Sequence, residues 1–337
     1  MTRRAWLAFA GCSVLWGIPY LFIKIGVRGG VPPALLAWGR VTLAAVVLLA
    51  LAARAGTLAQ LRGRWGAIAA YGIVEISGPF PLIAAGEERV ASSLAAIIIA
   101  SVPLIGAVLA LRFDRSERPT PLRVVGLLIG FSGVIALVGI DVAGSSRALL
   151  GAGAILLAAV GYAIGPMVLK LKLDGVDPRA MMGASLAVAA IVLTPLVALN
   201  LPPRAPTTGA IAAVVVLGLV CTAAAFVVAA ILIREAGTSR ALVITYVNPV
   251  IAVALGVVLL GEQPGAGAVA GLLLILAGSW LSTGGRLPPV AGGLAGLRRG
   301  LSRTHAAGGG RGPGFNGRGI AAGAGADPAG AAPRRRG

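Results

Sequence analysis

The chain is short of the residues on which most enzymes depend. Its 337 residues include one histidine, His305, and two cysteines, Cys12 and Cys221. These residues form no metal-binding spacing, and both cysteines lie in long apolar runs, which indicates packing in helices rather than a disulfide. Charged residues make up only 12% of the chain and aromatic residues 5%. We therefore predict no cofactor and no metal, and the scarcity of histidine excludes histidine or zinc catalysis from the apolar part of the chain.

Apolar residues dominate the composition of the chain. Hydrophobic residues make up 58% of the chain and the mean hydropathy is +0.94, which lies outside the range of soluble proteins. A transmembrane helix needs about 20 apolar residues. The apolar runs predict ten of them, so the predicted fold class is an all-α polytopic membrane protein, with spans at about 5–26, 34–53, 65–86, 91–111, 121–140, 149–169, 179–200, 208–233, 239–260 and 265–283.

The sequence repeats itself after 146 residues. The shift superimposes Trp16 on Tyr162, Lys24 on Lys170, Pro32 on Pro178, Ser93 on Ser239 and Pro103 on Pro249; after the loss of one residue, Glu117, Pro119, Gly126 and Gly133 fall on Glu262, Pro264, Gly271 and Gly278. Five spans are an odd number, so the second copy must enter the membrane inverted. Inverted repeats frame the substrate site of many secondary transporters. We predict a first repeat at 1–145, an inverted second repeat at 146–285 and a tail at 286–337.

Loop charges predict the orientation. Cytoplasmic loops of membrane proteins are enriched in lysine and arginine. With the N-terminus inside, the outer loops hold only Arg28, Arg89, Arg147 and Arg204, whereas the inner side holds Arg3, Arg4, Arg54, Arg62, Arg64, Arg112, Arg115, Arg118, Arg123, Lys170, Lys172, Arg179, Arg234 and Arg240. The predicted location is the bacterial cytoplasmic (inner) membrane, with both termini in the cytoplasm.

The tail from residue 286 to 337 is rich in glycine, alanine and arginine. It holds nine arginines and one aspartate, with almost no large apolar residue after Leu301, which predicts disorder. Such a basic segment is suited to anionic lipid headgroups at the inner leaflet. Aromatic residues for base stacking are lacking beyond Phe315, so no nucleic-acid partner is expected.

Three charged residues lie within predicted spans, where a charge usually faces a partner or a cavity. Lys24 either extends to the interface or contacts substrate. Arg40 has no repeat counterpart and has a planar fork suited to a carboxylate or phosphate. Glu75 either pairs with Arg40 or binds and releases a proton. No second buried carboxylate is evident, so Glu75 is the predicted proton-coupling residue, and the few polar oxygens near it make a sodium site less well supported.

Aromatic and proline residues complete the candidate site. Aromatic residues deep in spans need partners for their polar groups, and they are predicted either to contact substrate or to pack in the core. The predicted substrate-binding residues are Trp16, Tyr20, Lys24, Arg40, Tyr162, Tyr246 and Asn248. Proline bends a helix and frees backbone carbonyls, so the equivalent Pro103 and Pro249 are predicted to form hinges or cavity-lining bends.

These residues together resemble a known family. Leu15-Trp16-Gly17, Ala37-Trp38-Gly39-Arg40, Ala91-Ser92-Ser93 and Val102-Pro103 in the first repeat, and Gly237 to Ala241, Tyr246-Val247-Asn248-Pro249 and Gly261-Glu262 in the second, resemble the EamA-type transporters of the drug/metabolite transporter superfamily. The resemblance covers residues 5–283, and Tyr162 departs from it where tryptophan is more usual. It implies a carrier with a central cavity between the repeats.

The predicted function is a secondary transporter, not an enzyme, that exports amino acids or other small metabolites by alternating access with proton coupling. An enzyme acting on lipid-linked substrates would need clustered catalytic residues, which the sequence lacks. A multidrug exporter and a non-transporting scaffold or sensor are the alternatives. The predicted partners are a small-molecule substrate and the lipid bilayer, and a homodimer stays open.

Overall fold

The computed structural model describes residues 1–113, 120–173, 175–237, 241 and 243–282. All of them belong to one compact unit, Met1–Pro288. The predictions for the tail at 286–337 and for Glu117, Pro119 and Ser239 fall outside these residues. Throughout the described ranges the regular structure is helical, which confirms the predicted fold class.

Ten apolar helical segments follow one another along the described chain. Eight are long and apolar enough to cross a membrane, and two are shorter. We number them as spans in chain order: Arg3–Arg28, Pro33–Arg54, Trp65–Glu87, Ser92–Arg112, Pro121–Asp141, Ser146–Leu169, Pro178–Ala198, Thr208–Ala236, Ile244–Leu260 and Ala266–Ser282. A short 3₁₀ helix, Leu58–Leu61, lies between the second and third spans.

Three spans are interrupted where proline lacks the N–H that a continuous helix requires. In the third, Gly78 separates the π-helical turn Gly72–Ser77 from the helix Pro79–Glu87. The first span consists of Arg3–Gly17 and Pro19–Arg28. The fourth consists of Ser92–Ile99 and Val102–Phe113, with Pro103 at the start of its second half. Pro249, by contrast, lies inside the continuous helix Ile244–Leu260. The two equivalent prolines therefore occupy different local structures, and their role as hinges stays a prediction.

The third and eighth spans each contain a π-helical turn at nearly equivalent repeat positions. These turns are Gly72–Ser77 and Leu219–Ala224. In each, a hydroxyl donates to the carbonyl five residues earlier: Ser77 to Gly72 at 3.0 Å and Thr222 to Leu217 at 2.7 Å. Such turns occur frequently at functional sites, and nothing in the composition of the two spans had predicted them.

Repeat-equivalent spans pack against each other in opposite directions. A Cβ added to Gly126 would lie 2.8 Å from the Gly278 carbonyl oxygen, and one added to Gly133 would lie 2.9 Å from that of Gly271. As residue numbers rise along the fifth span, they fall along the tenth. The second and seventh spans behave in the same way, because Trp38 donates to Thr194 at 3.1 Å while Gly183 packs against Leu48. This is the inverted relation that the repeat predicts.

The loops gather at two opposite ends of the bundle. At the first, the Thr207 amide donates to the Gly29 carbonyl at 3.0 Å, and Glu262 binds the start of the fourth span; we name it the Glu262 end. At the second, the Asp177 amide donates to Gln60 at 2.7 Å and Thr2 donates to Glu235 at 3.2 Å. We name it the Lys172 end, because the sixth-span helix ends there at Lys172.

Candidate site between the two repeats

Arg40 is held between the repeats with part of its guanidinium uncommitted. It lies in the second span and is 8% exposed. Its Nε donates to Thr222 Oγ1 of the eighth-span π turn at 2.7 Å, and its Cζ lies 4.1 Å from the centre of the Phe80 ring. Among the described residues, its two terminal nitrogens form no hydrogen bond or ion pair. The guanidinium is therefore fixed at its base and available at its tip for a planar anion.

Two aromatic pairs, one of which includes the Phe80 ring beside Arg40, are copies of one contact. Tyr162 packs edge-on against Phe80, with ring centres 6.4 Å apart, and Trp16 packs edge-on against Phe226 at 5.7 Å. The 146-residue shift converts Trp16 into Tyr162 and Phe80 into Phe226, so each pair joins one repeat to the other. Tyr20 is an electrostatic neighbour of both Tyr162 and Arg40. The structure thus brings the predicted site residues Arg40 and Tyr162 together around Phe80, with Tyr20 nearby.

Glu75 does not pair with Arg40. It lies in the third-span π turn, and its Oε2 is buried without a hydrogen-bond partner. Its carboxylate lies against the backbone of Gly165 in the sixth span, where an added Cβ would overlap it. No ion pair found in the described ranges includes it. The structure therefore does not contain the ion pair between Glu75 and Arg40, which was one of the two interpretations of Glu75.

Lys24 neither extends to the interface nor joins the Arg40 group. It is 8% exposed, and its ammonium donates to the backbone carbonyls of Glu87 and, at 2.7 Å, Val90. These carbonyls lie at and just beyond the C-terminus of the helix Pro79–Glu87, where a cation is stabilised by the helix dipole. Lys24 therefore binds the first span to the end of the third.

The ninth-span candidate Asn248 is bound to backbone carbonyls of its own span and of the first span. When the Asn248 amide is oriented to suit its neighbours, its nitrogen donates to the Ser13 carbonyl at 3.1 Å and the Ile244 carbonyl at 2.9 Å. Asn248 therefore connects the ninth span to the first. Tyr246 is partly exposed on the same span. Of the predicted substrate-binding residues, Tyr20, Arg40 and Tyr162 thus form a central group, whereas Lys24 and Asn248 hold helices together.

A second buried carboxylate was missed. Glu87 is 0% exposed, and neither carboxylate oxygen has a hydrogen-bond partner within the described part of the chain. The prediction that Glu75 is the only deep carboxylate is therefore wrong. The predicted third span, at about 65–86, ended one residue before Glu87 and so left it outside the membrane. The signal that could have found it was Lys24, a cation at the same end of a neighbouring span.

Glu262 caps the fourth span at the same end. Its Oε1 accepts from the Ser92 amide at 2.7 Å and the Ser92 hydroxyl at 2.9 Å, and its Oε2 accepts from the Ser93 amide at 2.9 Å. We name this contact the Glu262 cap. Burial raises the pKa of the Glu262 carboxyl, but the hydrogen bonds from Ser93 and Ser92 outweigh burial and hold that pKa below its ordinary value. The carboxylate charge also suits the positive end of the helix.

An apolar cavity opens near the other end of the bundle. Its volume is about 860 Å³, and it lies between the third, fourth and sixth spans. Ile164, one of its lining residues, directly precedes the Gly165 against which Glu75 lies. The cavity is lined by Gly66, Ala67, Ala70, Leu109, Ile164, Met167, Val168 and Lys172.

Two inverted sets of apolar helices with buried charged residues between them define the class of membrane transporters built from inverted repeats. Comparison with known families gives the same class. The model of the EamA-like transporter family matches residues 3–139 and again 149–284. The chain therefore belongs to the EamA-like transporter family of the drug/metabolite transporter superfamily, and it is a multi-pass protein of the bacterial inner membrane.

Relatives agree with this assignment. The chain is 31% identical over 257 residues to the "Uncharacterized inner membrane transporter YedA" of Escherichia coli (strain K12), covering 74% of this chain and 80% of that protein. It is 23% identical to the "Uncharacterized transporter YoaV" of Bacillus subtilis (strain 168), over 83% and 97% of the two chains. A solved crystal structure aligns with a TM-score of 0.61 at 24% identity, over 83% of this chain and 97% of that chain, and shows the fold alone.

Proposed function

We propose that the protein is a secondary transporter that exports amino acids or other small metabolites with an acidic group across the inner membrane. The single observation that supports this substrate class is Arg40. Its Nε donates to Thr222 and its Cζ lies over the Phe80 ring, while its terminal nitrogens have no partner among the described residues. A planar guanidinium fork matches a carboxylate or phosphate in two parallel hydrogen bonds.

Alternating access is proposed from the contrast between the two ends. At the Glu262 end, the Glu262 cap and the Lys24 ammonium tie three chain segments together. Near the Lys172 end, the 860 Å³ cavity separates spans of different repeats. Loop charges favour the Lys172 end as cytoplasmic, with both termini on that side. The conformation then resembles one that is open inward and closed outward, and export requires the opposite state as well.

Proton coupling is proposed through Glu75. Its Oε2 is buried without a donor against Gly165, the residue that follows the cavity-lining Ile164. An ionised carboxylate without partners is costly in a low-dielectric interior, so the group gains from binding a proton. A multidrug exporter of lipophilic cations remains the nearest alternative, but Arg40 at the centre of the site disfavours cationic cargo.

The experiment is a proton-flux assay on purified protein in liposomes with a pH-sensitive dye inside. Pools of amino acids, carboxylic acids and phosphorylated metabolites are added in turn outside. A pool that moves protons with wild type should move none with Glu75→Gln, because the amide cannot release a proton. Gly165→Ala should also reduce flux, because its Cβ overlaps the Glu75 carboxylate.

The matched control is Glu88→Gln. Glu88 is a carboxylate at the end of the same span as Glu75, but it is exposed. Among the described ion pairs it pairs only with its neighbour Arg89, at 3.6 Å. Its variant should keep wild-type flux. Undiminished proton flux in Glu75→Gln would reject Glu75 as the coupling site, and the absence of flux with every pool in folded wild type would reject proton coupling.

A further inference from the structure

Glu87 is the most deeply buried carboxylate among the described residues, and the proposed function leaves it without a role. It ends the helix Pro79–Glu87 of the third span at 0% exposure. Both of its oxygens are buried, and neither receives a hydrogen bond in the part of the chain that the structure describes. Its own backbone carbonyl accepts from Lys24, so the residue is fixed while its carboxyl group is left unpaired.

The charged and titratable groups around Glu87 form no hydrogen bond with its carboxyl group among the described residues. They are Lys24, Tyr20, Arg40 and Glu262. Lys24 donates to backbone carbonyls, Arg40 to Thr222, and Glu262 accepts from Ser92 and Ser93. The ion pairs of the described ranges, Arg4–Glu235, Arg89–Glu88 and Arg179–Asp177, do not include Glu87.

A buried ionised carboxylate needs either a close partner or a bound ion. Metal ions require several ligands, and no group of three or more histidine, cysteine or acidic side chains lies together within the described residues. A proton requires neither further ligands nor a cavity, and it removes the charge. We propose that Glu87 is a second proton-binding carboxyl of the transporter, occupied while the Glu262 end is closed.

The position of Glu87 gives this proton a place in the transport cycle, and in this respect the inference rests on the proposed proton coupling. Glu75 and Glu87 are twelve residues apart on one span, about 18 Å along a helix. When the Glu262 end opens, water reaches Glu87, and its carboxyl group exchanges its proton with that water.

Infrared spectroscopy of the purified protein tests the protonation without any transport. Protonated carboxyl groups have a C=O stretching band that carboxylates lack. At neutral pH, Glu87→Gln should lose the contribution of one carboxyl from this band, while Glu88→Gln should leave the band unchanged. An unchanged band in Glu87→Gln would show that Glu87 is ionised and would overturn the proposal. If the glutamine variant does not fold, Glu87→Asp gives the same test. It should shift the contribution of this carboxyl within the band rather than remove it.

The liposome assay then tests the role in transport. Where wild type moves protons, Glu87→Gln should reduce the flux to that of empty liposomes, and Glu88→Gln should not. If Glu87→Gln loses the infrared contribution but keeps the proton flux, the proposed role of Glu87 in the transport cycle is overturned. Without any wild-type flux the proposed coupling itself fails, while the infrared result still decides whether Glu87 binds a proton.

Discussion

Arg40→Lys is expected to reduce transport of the active substrate pool by about tenfold or more, with the protein still folded. Lysine keeps the charge but loses the planar fork and the Nε hydrogen bond to Thr222. Hydrogen bonds to charged groups contribute about 1.5–3 kcal/mol each, so the loss of one corresponds to roughly a 10- to 150-fold change. Arg40→Ala should have a larger effect, because it removes the charge as well. Initial rates in liposomes at several substrate concentrations measure both effects.

Two further variants separate binding from folding. Arg54→Lys changes an exposed arginine at the end of the same helix and should leave transport unchanged. Thr222→Val removes the oxygen that orients the Arg40 guanidinium and should reduce transport less than Arg40→Lys does, whereas Thr222→Ser should restore it. Wild-type rates in a monodisperse Arg40→Lys preparation would contradict the assignment of Arg40 to substrate binding.

Gly133→Val combined with Gly126→Val is expected to abolish the folded bundle. The fifth and tenth spans touch backbone to backbone through glycines, so a side chain on either glycine would press on a carbonyl of the facing helix at under 3 Å. Overpacking costs about 1–3 kcal/mol per site even where side chains can adjust, and backbone atoms adjust less. The measurements are the yield of monodisperse protein and its apparent unfolding temperature.

Gly139→Val is the matched control, because Gly139 lies on the same helix. A Cβ added there would have no atom within 4 Å, since the residue is exposed. Its yield and unfolding temperature should equal those of wild type. Equal loss in Gly139→Val would show that valine disfavours this helix itself, and normal folding of the double variant would contradict the close packing.

The fold could be predicted from the sequence because hydropathy and repetition are visible in a single chain. The repeat aligns Gly126 with Gly271 and Gly133 with Gly278. A two-fold relation then implies the contacts that are found, Gly126 with Gly278 and Gly133 with Gly271. A Gly-x-x-x-Gly spacing in so glycine-rich a chain had little predictive value by itself. The contacts between these glycines are predicted by the alignment of the two copies.

The site was predicted less completely, for a physical reason. Sequence identifies charged residues in apolar runs, which is how Arg40 and Glu75 were found, but not what their side chains touch. Arg40 meets Thr222, which is 182 residues away. Glu87 lies at a helix end that is packed by segments distant in the sequence, among them Lys24, which donates to its carbonyl, and Ile155 of the sixth span. The π turns likewise depend on packing between spans, which no propensity within one span predicts.

Distances across the two ends of the bundle test most directly the claim that the repeats alternate access. In a protein with Cys12 and Cys221 replaced by alanine, one spin-label pair at Glu88→Cys and Gln263→Cys reports the Glu262 end. A second pair at Arg62→Cys and Lys172→Cys reports the Lys172 end; all four positions are exposed. Acidification from pH 8 to 6 leaves the Glu262 cap charged. Because the pKa of the Glu262 carboxyl is lowered, the cap keeps its contribution to stability until the pH falls below the ordinary glutamate range.

The predicted result is two populations at each end that change reciprocally, with the Glu262-end distance lengthening as the Lys172-end distance shortens. Glu262→Gln, which weakens the Glu262 cap, should shift both pairs toward the state that is open at the Glu262 end. A single distance at each end, unchanged by pH and by Glu262→Gln, would contradict alternating access by this protein.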